Sequence, residues 1–212
     1  ELDGMPLPPG STQSVSINTD QQITPTVFPD CKTAKEDIAA LPVYMAAANG
    51  IRVPILKTLL TSVCERDCYY CSFRSANDRP RTTFRPEELA RTFFLMWKKK
   101  IVQGMFLSSG LAGGGVKTQD RLIDTAEILR KKMGFTGYLH LKIMPGSEKA
   151  QVERAMQLAD RVSVNLEAAS TSHLKKMAPH KAFYEELLQP LKWIEEIRQM
   201  NSDIPHQIVQ QP

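Results

Sequence analysis

Short apolar segments alternate with longer amphipathic segments along most of the chain, from Pro54 onward. The apolar segments have the length of strands, which predicts strands at residues 55–63, 104–109, 137–144, 161–167 and 204–209. The amphipathic segments carry apolar positions at helical spacing, and they predict helices that begin near Pro86, Thr118, Ser147 and Pro190. Strand–helix alternation with short connections indicates parallel strands with helices outside, coiled in one direction because such connections are right-handed.

Two neighbouring strands each show one polar face. The polar positions, which alternate with apolar ones, are Tyr138, His140 and Lys142 on one strand and Ser163, Asn165 and Glu167 on the next. A sheet covered by helices on both faces would be apolar on both. The pattern therefore favours an α/β fold built as a partial (β/α) barrel with a polar interior, over a flat doubly wound sheet. The functional site is then expected at the C-terminal ends of the strands.

The first 50 residues have a different composition. Residues 1–30 are rich in Pro, Ser, Thr and Gln without a helical or strand period, which is typical of a disordered segment. A short helix, broken by Pro42, is expected from Lys35 to Ala48. We therefore divide the chain into an irregular segment at 1–50 and the partial barrel at 51–212. Because it begins with Glu1 and ends soon after an apolar patch, we expect a fragment whose barrel is truncated at the C-terminus.

Composition places few limits on function. The chain has 212 residues, 42% of them hydrophobic, which is enough for one packed core. No apolar run approaches the length of a membrane span, and no secretory signal is visible, so no membrane partner is expected. The net charge of +4 permits a polyanionic partner without requiring one.

Three of the four cysteines, Cys64, Cys68 and Cys71, fall within eight residues directly after the first predicted strand. Three thiolates on one short loop can hold one face of an iron–sulfur cube and leave one iron open. A structural zinc site would need a fourth ligand, and the nearest candidates are Cys31 upstream and His140 far downstream. A disulfide framework is disfavoured because the chain is long and poor in cysteine. Thiolates that hold iron need a reducing compartment, so we expect the cytoplasm.

The spacing C-x3-C-x2-C, with Tyr70 before the last cysteine, resembles the signature of the radical S-adenosylmethionine (radical SAM) enzymes. That resemblance implies a 4Fe–4S cluster on Cys64, Cys68 and Cys71, with SAM bound to the open iron and Tyr70 near its adenine. It further implies reductive cleavage of SAM to methionine and a 5′-deoxyadenosyl radical, which takes a hydrogen atom from the substrate. An electron donor such as a flavodoxin or ferredoxin would then be a partner.

The same resemblance suggests further SAM contacts. Ser108-Ser109-Gly110 occupies the place of the Gly-Gly-Glu segment that holds the SAM amino group, although this chain has no acid there. Tight turning at the strand end is the alternative interpretation of this segment. Of the polar fourth-strand residues Ser163, Asn165 and Glu167, the last two are the candidates for the ribose hydroxyls, with an internal polar network as the alternative. His140 and Lys142 are candidates for contacts with SAM or substrate, although Lys142 could instead pair with Glu167.

Longer stretches resemble one radical SAM subfamily over about residues 52–200. These stretches are Leu59–Cys64, Gly104–Gly110, Gly137–Lys142 and Asp160–Glu167. That subfamily is associated with DNA modification or repair and with a uracil-DNA-glycosylase-like partner. The resemblance therefore implies a nucleic-acid substrate.

Two alternatives of other classes remain. Arginines at 74, 79, 81 and 85 follow the cysteines and alternate with phenylalanines, which suggests a zinc-stabilised nucleic-acid-binding module without catalysis. Gly110 to Thr118 has the outline of a phosphate-binding P-loop, but Val116 is inserted before Lys117 and breaks the required spacing. His180-Lys181 is expected on a long loop over the mouth of the barrel, as a solvated pair or as a binding element.

Overall fold

The computed structural model describes residues 42–48 and 51–202. A five-stranded sheet lies at its centre, with the strands in chain order. The strands are β1 Val43–Ala48, β2 Ile51–Leu59, β3 Gly104–Ser108, β4 Tyr138–Lys142 and β5 Arg161–Ser163. β1 runs antiparallel to β2, and all other neighbouring pairs are parallel. The mostly parallel α/β fold predicted from the sequence is confirmed.

Three helices connect the parallel strands, and two more follow β5 in the described part of the chain. They are α1 Pro86–Lys98, α2 Gly115–Glu127, α3 Lys149–Leu158, α4 Thr171–Met177 and α5 Gln189–Ser202. A π-helical turn, Ile128–Lys132, extends α2, and a second, Phe183–Leu188, leads into α5. α1 begins as predicted, with Pro86 in its first turn and the Glu88 carboxylate accepting a hydrogen bond from the Arg85 amide at 3.3 Å. No helix of the described residues is both long and apolar enough to cross a bilayer.

The core lies between the sheet and the helices. Met105, Leu107, Leu139 and Leu141 are completely buried, and they belong to one cluster with apolar residues of α1, α2 and α3. The alternate positions Phe106 and Ser108 on β3, and all those on β4, are only partly buried. The predicted alternation between an apolar and a polar face is therefore present, and the polar face lies opposite these helices.

The prediction of a helix from Lys35 to Ala48 is wrong for the described part of that range. Val43–Ala48 is a strand because all six residues pair with β2, from Val43 opposite Leu56 to Ala48 opposite Ile51. Pairing along the whole segment outweighs the helical preference of its alanines. The sheet thus begins before residue 51. Residues 1–41 and the predicted strand at 204–209 lie outside the described residues.

Several predicted boundaries also need correction. β2 ends at Leu59 instead of Val63, α2 begins three residues before Thr118, and α3 follows Glu148 instead of Ser147. The strand predicted at 161–167 ends at Ser163. Its neighbour β4 ends at Lys142 and turns at Pro145-Gly146, so residues beyond Ser163 have no adjacent strand on that side. The long loop predicted after it contains α4 and the second π-helical turn.

Candidate active site

The three cysteines lie on a loop that follows β2 at the C-terminal edge of the sheet, and all three line one cavity of about 250 Å³. None of them forms a disulfide. Cys68 is buried, whereas Cys64 and Cys71 are partly exposed. The same cavity is lined by Tyr70 and by residues at or beyond the ends of the neighbouring strands: Leu59, Ser108, Ser109, Gly110, Lys142, Asn165 and Glu167.

The cysteine loop, residues 60–82, is folded around the guanidinium of Arg81. That group donates hydrogen bonds of 2.8–2.9 Å to four backbone carbonyls, those of Ser62, Phe73, Arg74 and Asn77. The planar guanidinium carries five N–H donors in a fixed arrangement and can therefore connect distant parts of one loop. Arg81 thus serves the loop itself, because both of its terminal nitrogens are occupied by loop carbonyls.

The segment after β3 packs directly against the cysteine loop. The amide of Gly110 donates to the carbonyl of Thr61 at 2.7 Å, and the amide of Glu65 donates to the carbonyl of Leu111 at 2.8 Å. A Cβ atom at Gly110 would lie only 2.2 Å from the carbonyl oxygen of Val63, so this position has room for glycine alone. Close backbone contact between the two loops therefore requires glycine at position 110, whether or not Gly110 also contacts a cofactor.

The glycine-rich loop that suggested a P-loop binds a carboxylate of the chain itself. The amides of Gly113 and Gly114 both donate to Oε2 of Glu65, at 3.2 and 3.3 Å. Both glycines have positive φ, which turns successive amides toward one acceptor. Because Glu65 occupies this concavity, the loop connects the cysteine loop to α2, and nothing in it favours a nucleotide phosphate.

A second set of contacts fixes the cysteine loop to the segment that follows β5. Arg66 donates to the carbonyl of His180 and to the Glu186 carboxylate. Asp67 lies 2.9 Å from Nδ1 of His180, and this contact holds the pKa of Asp67 below its ordinary value. Cys68 belongs to a small apolar cluster with four buried residues of this region: Leu174, Ala178, Phe183 and Leu187.

Five polar side chains form a network at the edge of the cavity: Tyr70, Lys142, Asn165, Glu167 and Lys181. Nζ of Lys181 donates to the Tyr70 hydroxyl and to Oε1 of Glu167, both at 3.1 Å. The amide of Asn165 donates to the same Glu167 oxygen at 3.3 Å, and Nζ of Lys142 donates to Oδ1 of Asn165. Lys142 therefore reaches Glu167 through Asn165, and the predicted direct pair with Glu167 is not formed.

Burial and mutual contacts shift the pKa values in this polar network. Burial, and then the Glu167 carboxylate, raise the pKa of the Tyr70 phenol. Burial would raise the pKa of Glu167 as well, but the Lys181 ammonium and the neighbouring donors outweigh it and hold that pKa below its usual value. Burial lowers the pKa of Lys142, with Glu167 opposing the shift. Glu167 also has a φ of 62°, a left-handed conformation that is uncommon for a residue with a side chain.

His140 and Ser163 lie on the same polar face but do not line the cavity. Nε2 of His140 is 2.8 Å from Oγ of Ser163, and the His140 ring lies 4.4 Å from the Phe106 ring. Burial, together with the charges of Arg161 and Lys142, lowers the pKa of His140 to about 4. His140 is therefore neutral at neutral pH.

Ser109 supplies an unsatisfied polar atom at the cavity. Its Oγ is buried and has no hydrogen-bond partner among the described residues. Buried hydroxyls normally have a partner, because an unpaired one costs about 1–3 kcal/mol. Ser109 also lines the cavity, so rotation about its Cα–Cβ bond would bring this hydroxyl to a polar ligand there.

The donor set suits an iron–sulfur cube better than a single metal ion. Among the described residues, no three or more His, Cys, Asp and Glu side chains are grouped so that they could share one metal ion. In a 4Fe–4S cube each cysteine binds a different iron, so its sulfurs border a common space without meeting at one point. Three thiols around one cavity match that requirement. Cys31, the fourth cysteine, lies outside the described residues.

Some site residues were missed from sequence. The sequence predicts Lys181 on a loop over the mouth without assigning it to the site, and it does not indicate that Arg66 lines the cavity as well. Both occur near recognisable signals, the cysteines and the loop after Pro179. The contacts of Arg66 with Glu186 and of Lys181 with Tyr70, however, span more than 100 residues of the chain, and no local pattern indicates such a contact.

Solved structures with this fold belong to larger proteins. The FeFe-hydrogenase maturase HydG from Carboxydothermus hydrogenoformans has 18% identity and a TM-score of 0.56, covering 68% of this chain and 33% of its own. Methylornithine synthase (PylB) has 16% identity and a TM-score of 0.55, and the match covers 70% of this chain and 43% of PylB. Another structure of HydG has 14% identity and a TM-score of 0.54, and the match covers 68% of this chain and 32% of HydG. This chain thus spans less than half of each, and at such identities the likeness concerns the fold.

No curated protein matches the chain. The family model described as the Radical SAM superfamily matches residues 58–204, a span that contains Cys64, Cys68 and Cys71 and more than half of the chain. The chain therefore belongs to the Radical SAM superfamily, whose enzymes use a 4Fe–4S cluster and S-adenosylmethionine.

Proposed function

We propose that this chain binds a 4Fe–4S cluster through Cys64, Cys68 and Cys71, binds SAM beside it, and acts in radical SAM catalysis. The observation that supports this most is that the three cysteines and the polar strand-end residues line one cavity. When bound, the cluster supplies the electron that cleaves SAM into methionine and a 5′-deoxyadenosyl radical. The residues of the chain bind and orient these groups and limit the access of water.

The polar residues around the cavity have separate roles in this proposal. Tyr70, held by Lys181, forms the wall for the adenine. Both Asn165 and Glu167 hydrogen-bond the ribose hydroxyls, Asn165 as a donor or an acceptor and the Glu167 carboxylate as an acceptor. Ser109, with an unpaired Oγ, binds the amino group together with backbone atoms of its neighbours Ser108 and Gly110.

Lys142, His140 and Ser163 complete the proposed site. Lys142 lies near enough to the cavity to bind a carboxylate of SAM or of the substrate. Ser163 does not line the cavity, and its hydrogen bond to His140 orients that ring on the polar face. In this arrangement Ser163 is a positioning residue, and His140 faces the substrate.

Metal and SAM binding can be tested together. Anaerobic reconstitution with iron and sulfide is expected to give about four irons per chain, and the electron resonance signal of the reduced protein is expected to change when SAM is added. Replacing each cysteine with alanine should abolish iron incorporation. Stoichiometric zinc without iron after anaerobic purification would contradict the proposal and favour a zinc-stabilised module.

We further propose, from the resemblance of the sequence segments alone, a nucleic-acid substrate, a uracil-DNA-glycosylase-like partner and a flavodoxin or ferredoxin as electron donor in the cytoplasm. Incubation with SAM, a reductant and oligonucleotides is expected to increase the yield of 5′-deoxyadenosine above that without substrate. An unchanged yield with both single-stranded and double-stranded DNA would contradict the nucleic-acid assignment.

A further inference from the structure

One row of side chains crosses the polar face of four strands. Lys57 pairs in register with Phe106, Phe106 with His140, and His140 with Arg161. We call these four residues the cationic row. It lies two residues before Leu59 and Ser108, which are paired with each other and line the cavity. The cationic row is thus next to the proposed cofactor cavity, on the same face of the sheet.

The two ends of the cationic row carry positive charges without a matching carboxylate. Lys57 and Arg161 are exposed, and among the described residues neither forms a salt bridge. Nζ of Lys57 lies over the Phe106 ring, 5.8 Å from its centre. Such a face concentrates anions.

The charges near the cavity do not neutralise the cationic row. Lys142, partly buried, donates to the neutral amide oxygen of Asn165. The nearby carboxylate, Glu167, is already paired with Lys181. The charges of Lys181 and Lys57 both act to lower the pKa of Lys142, although the Glu167 carboxylate opposes them more strongly, so each of these two ammonium groups repels that of Lys142. A negative ligand would relieve this repulsion.

The middle of the cationic row provides a partly buried floor. The rings of Phe106 and His140 lie 4.4 Å apart with their planes inclined by 36°. His140 is held at Nε2 by Ser163, and its Nδ1 has no hydrogen-bond partner within the described residues. The Phe106 and His140 rings thus offer apolar contact area, and His140 also offers a polar ring nitrogen. Binding sites for small molecules combine these two features, whereas an ordinary charged surface has charge alone.

We propose that the cationic row binds an oxyanion of the substrate, a carboxylate or a phosphate, and so holds the substrate next to the SAM cavity. Lys57 and Arg161 bind the anion from two sides, and the Phe106–His140 pair packs against the adjacent carbon skeleton. This assignment rests on the proposed radical SAM function, and it adds a substrate class and two residues, Lys57 and Arg161, to that site.

Equilibrium dialysis of the anaerobically reconstituted protein against radiolabelled inorganic phosphate and, separately, malonate tests the proposal. One of the two anions is expected to bind with one equivalent per chain, and the anion that binds more tightly indicates the substrate group. Lys57→Gln and Arg161→Gln should each weaken binding about tenfold, the loss of one charge-assisted hydrogen bond. Lys132→Gln is the matched control, because Lys132 is exposed on the π-helical turn after α2 and lies on the helical side of the molecule.

The outcomes separate this proposal from the proposed function. If neither anion binds, or if the Lys57 and Arg161 variants bind as tightly as the Lys132 variant, the oxyanion site is wrong. Electron resonance with and without SAM on the same samples reports cofactor binding independently. A normal SAM response without anion binding therefore rejects only the cationic row, whereas anion binding that depends on Lys57 and Arg161 supports the row whatever the SAM response.

Discussion

Single side chains connect parts of the site that are distant in sequence. Lys181 joins Tyr70 of the cysteine loop to Glu167 beyond β5, and its side chain is only 9% exposed. Arg81 joins four carbonyls of the cysteine loop. Each of these residues carries a charge that water would otherwise solvate, so its partners must replace that solvation. The shape of the cavity therefore depends on a few residues that are not themselves expected to bind iron.

Arg81→Lys is expected to destabilise the cysteine loop, because one ammonium cannot replace a guanidinium that reaches four carbonyls. Loss of these charge-assisted bonds should lower the free energy of unfolding by about 2 kcal/mol and reduce iron incorporation. Arg79→Lys is the control, since Arg79 is exposed in the same loop. Chemical denaturation and iron analysis measure both effects. Equal stability and iron content in the two variants would contradict the role of Arg81.

His140 makes stability depend on pH in a defined direction. Its pKa is about 4 in the folded protein and about 6.5 in an unfolded chain. The unfolded state therefore binds an extra proton between these values, so the contribution of His140 to stability is complete above pH 6.5 and is lost as the pH falls toward 4.

Titration of the His140 ring by NMR is expected to give a midpoint near pH 4. The wild type should also lose stability relative to His140→Gln as the pH falls from about 6.5 to about 4. A midpoint near 6.5, or a constant difference between the two proteins, would contradict the burial assigned to this ring.

At the scale of elements, the site depends on how closely two strand-end loops approach. The loop after β2 and the loop after β3 exchange backbone hydrogen bonds, including Gly110 to Thr61 and Glu65 to Leu111. Glycine at 110 permits this approach, and the Glu65 carboxylate holds the amides of the following glycines. The cysteine loop is thus fixed to the same edge of the sheet as the Ser108–Gly110 turn.

Gly110→Ala is expected to separate these two loops, because the added Cβ would lie 2.2 Å from the Val63 carbonyl oxygen. We expect a loss of about 1–3 kcal/mol in stability, as for overpacking in a dense interior, together with reduced iron binding. Gly134→Ala serves for comparison. Gly134 lies after the π-helical turn Ile128–Lys132 and has open space but a positive φ, so this change should cost about 1–2 kcal/mol and leave the loop contacts at Gly110 intact. Iron binding that falls no further in Gly110→Ala than in Gly134→Ala would contradict the close approach.

At the scale of the whole molecule, two apolar clusters stabilise different parts of the described structure. The larger cluster joins the sheet to the helices and contains completely buried residues such as Leu141. The smaller cluster surrounds Cys68 and contains the completely buried Leu174 of α4. The smaller cluster, with the contacts of Arg66 and Asp67, fixes the cysteine loop to the segment after β5.

Leu174→Ala and Leu141→Ala are expected to increase amide hydrogen exchange in different parts of the protein. Both create a cavity that costs about 2–5 kcal/mol. Leu141→Ala should increase amide hydrogen exchange throughout the sheet, since it removes part of the main core. Leu174→Ala should increase exchange mainly in residues 64–75 and 171–188 and reduce iron binding. Identical exchange patterns in the two variants would contradict the division into two clusters.

Sequence patterns alone determined the alternation of parallel strands and outer helices, because periodicity is a local property of each segment. They also determined the three cysteines at the end of the first parallel strand, since their spacing is read directly from the chain. Tertiary structure decided what no local period encodes. Pairing with β2 made Val43–Ala48 a strand, and the end of β4 left β5 with only three residues. Contacts across more than 100 residues brought Lys181 and Glu186 to the cysteine loop, and such contacts depend on how the chain folds back on itself.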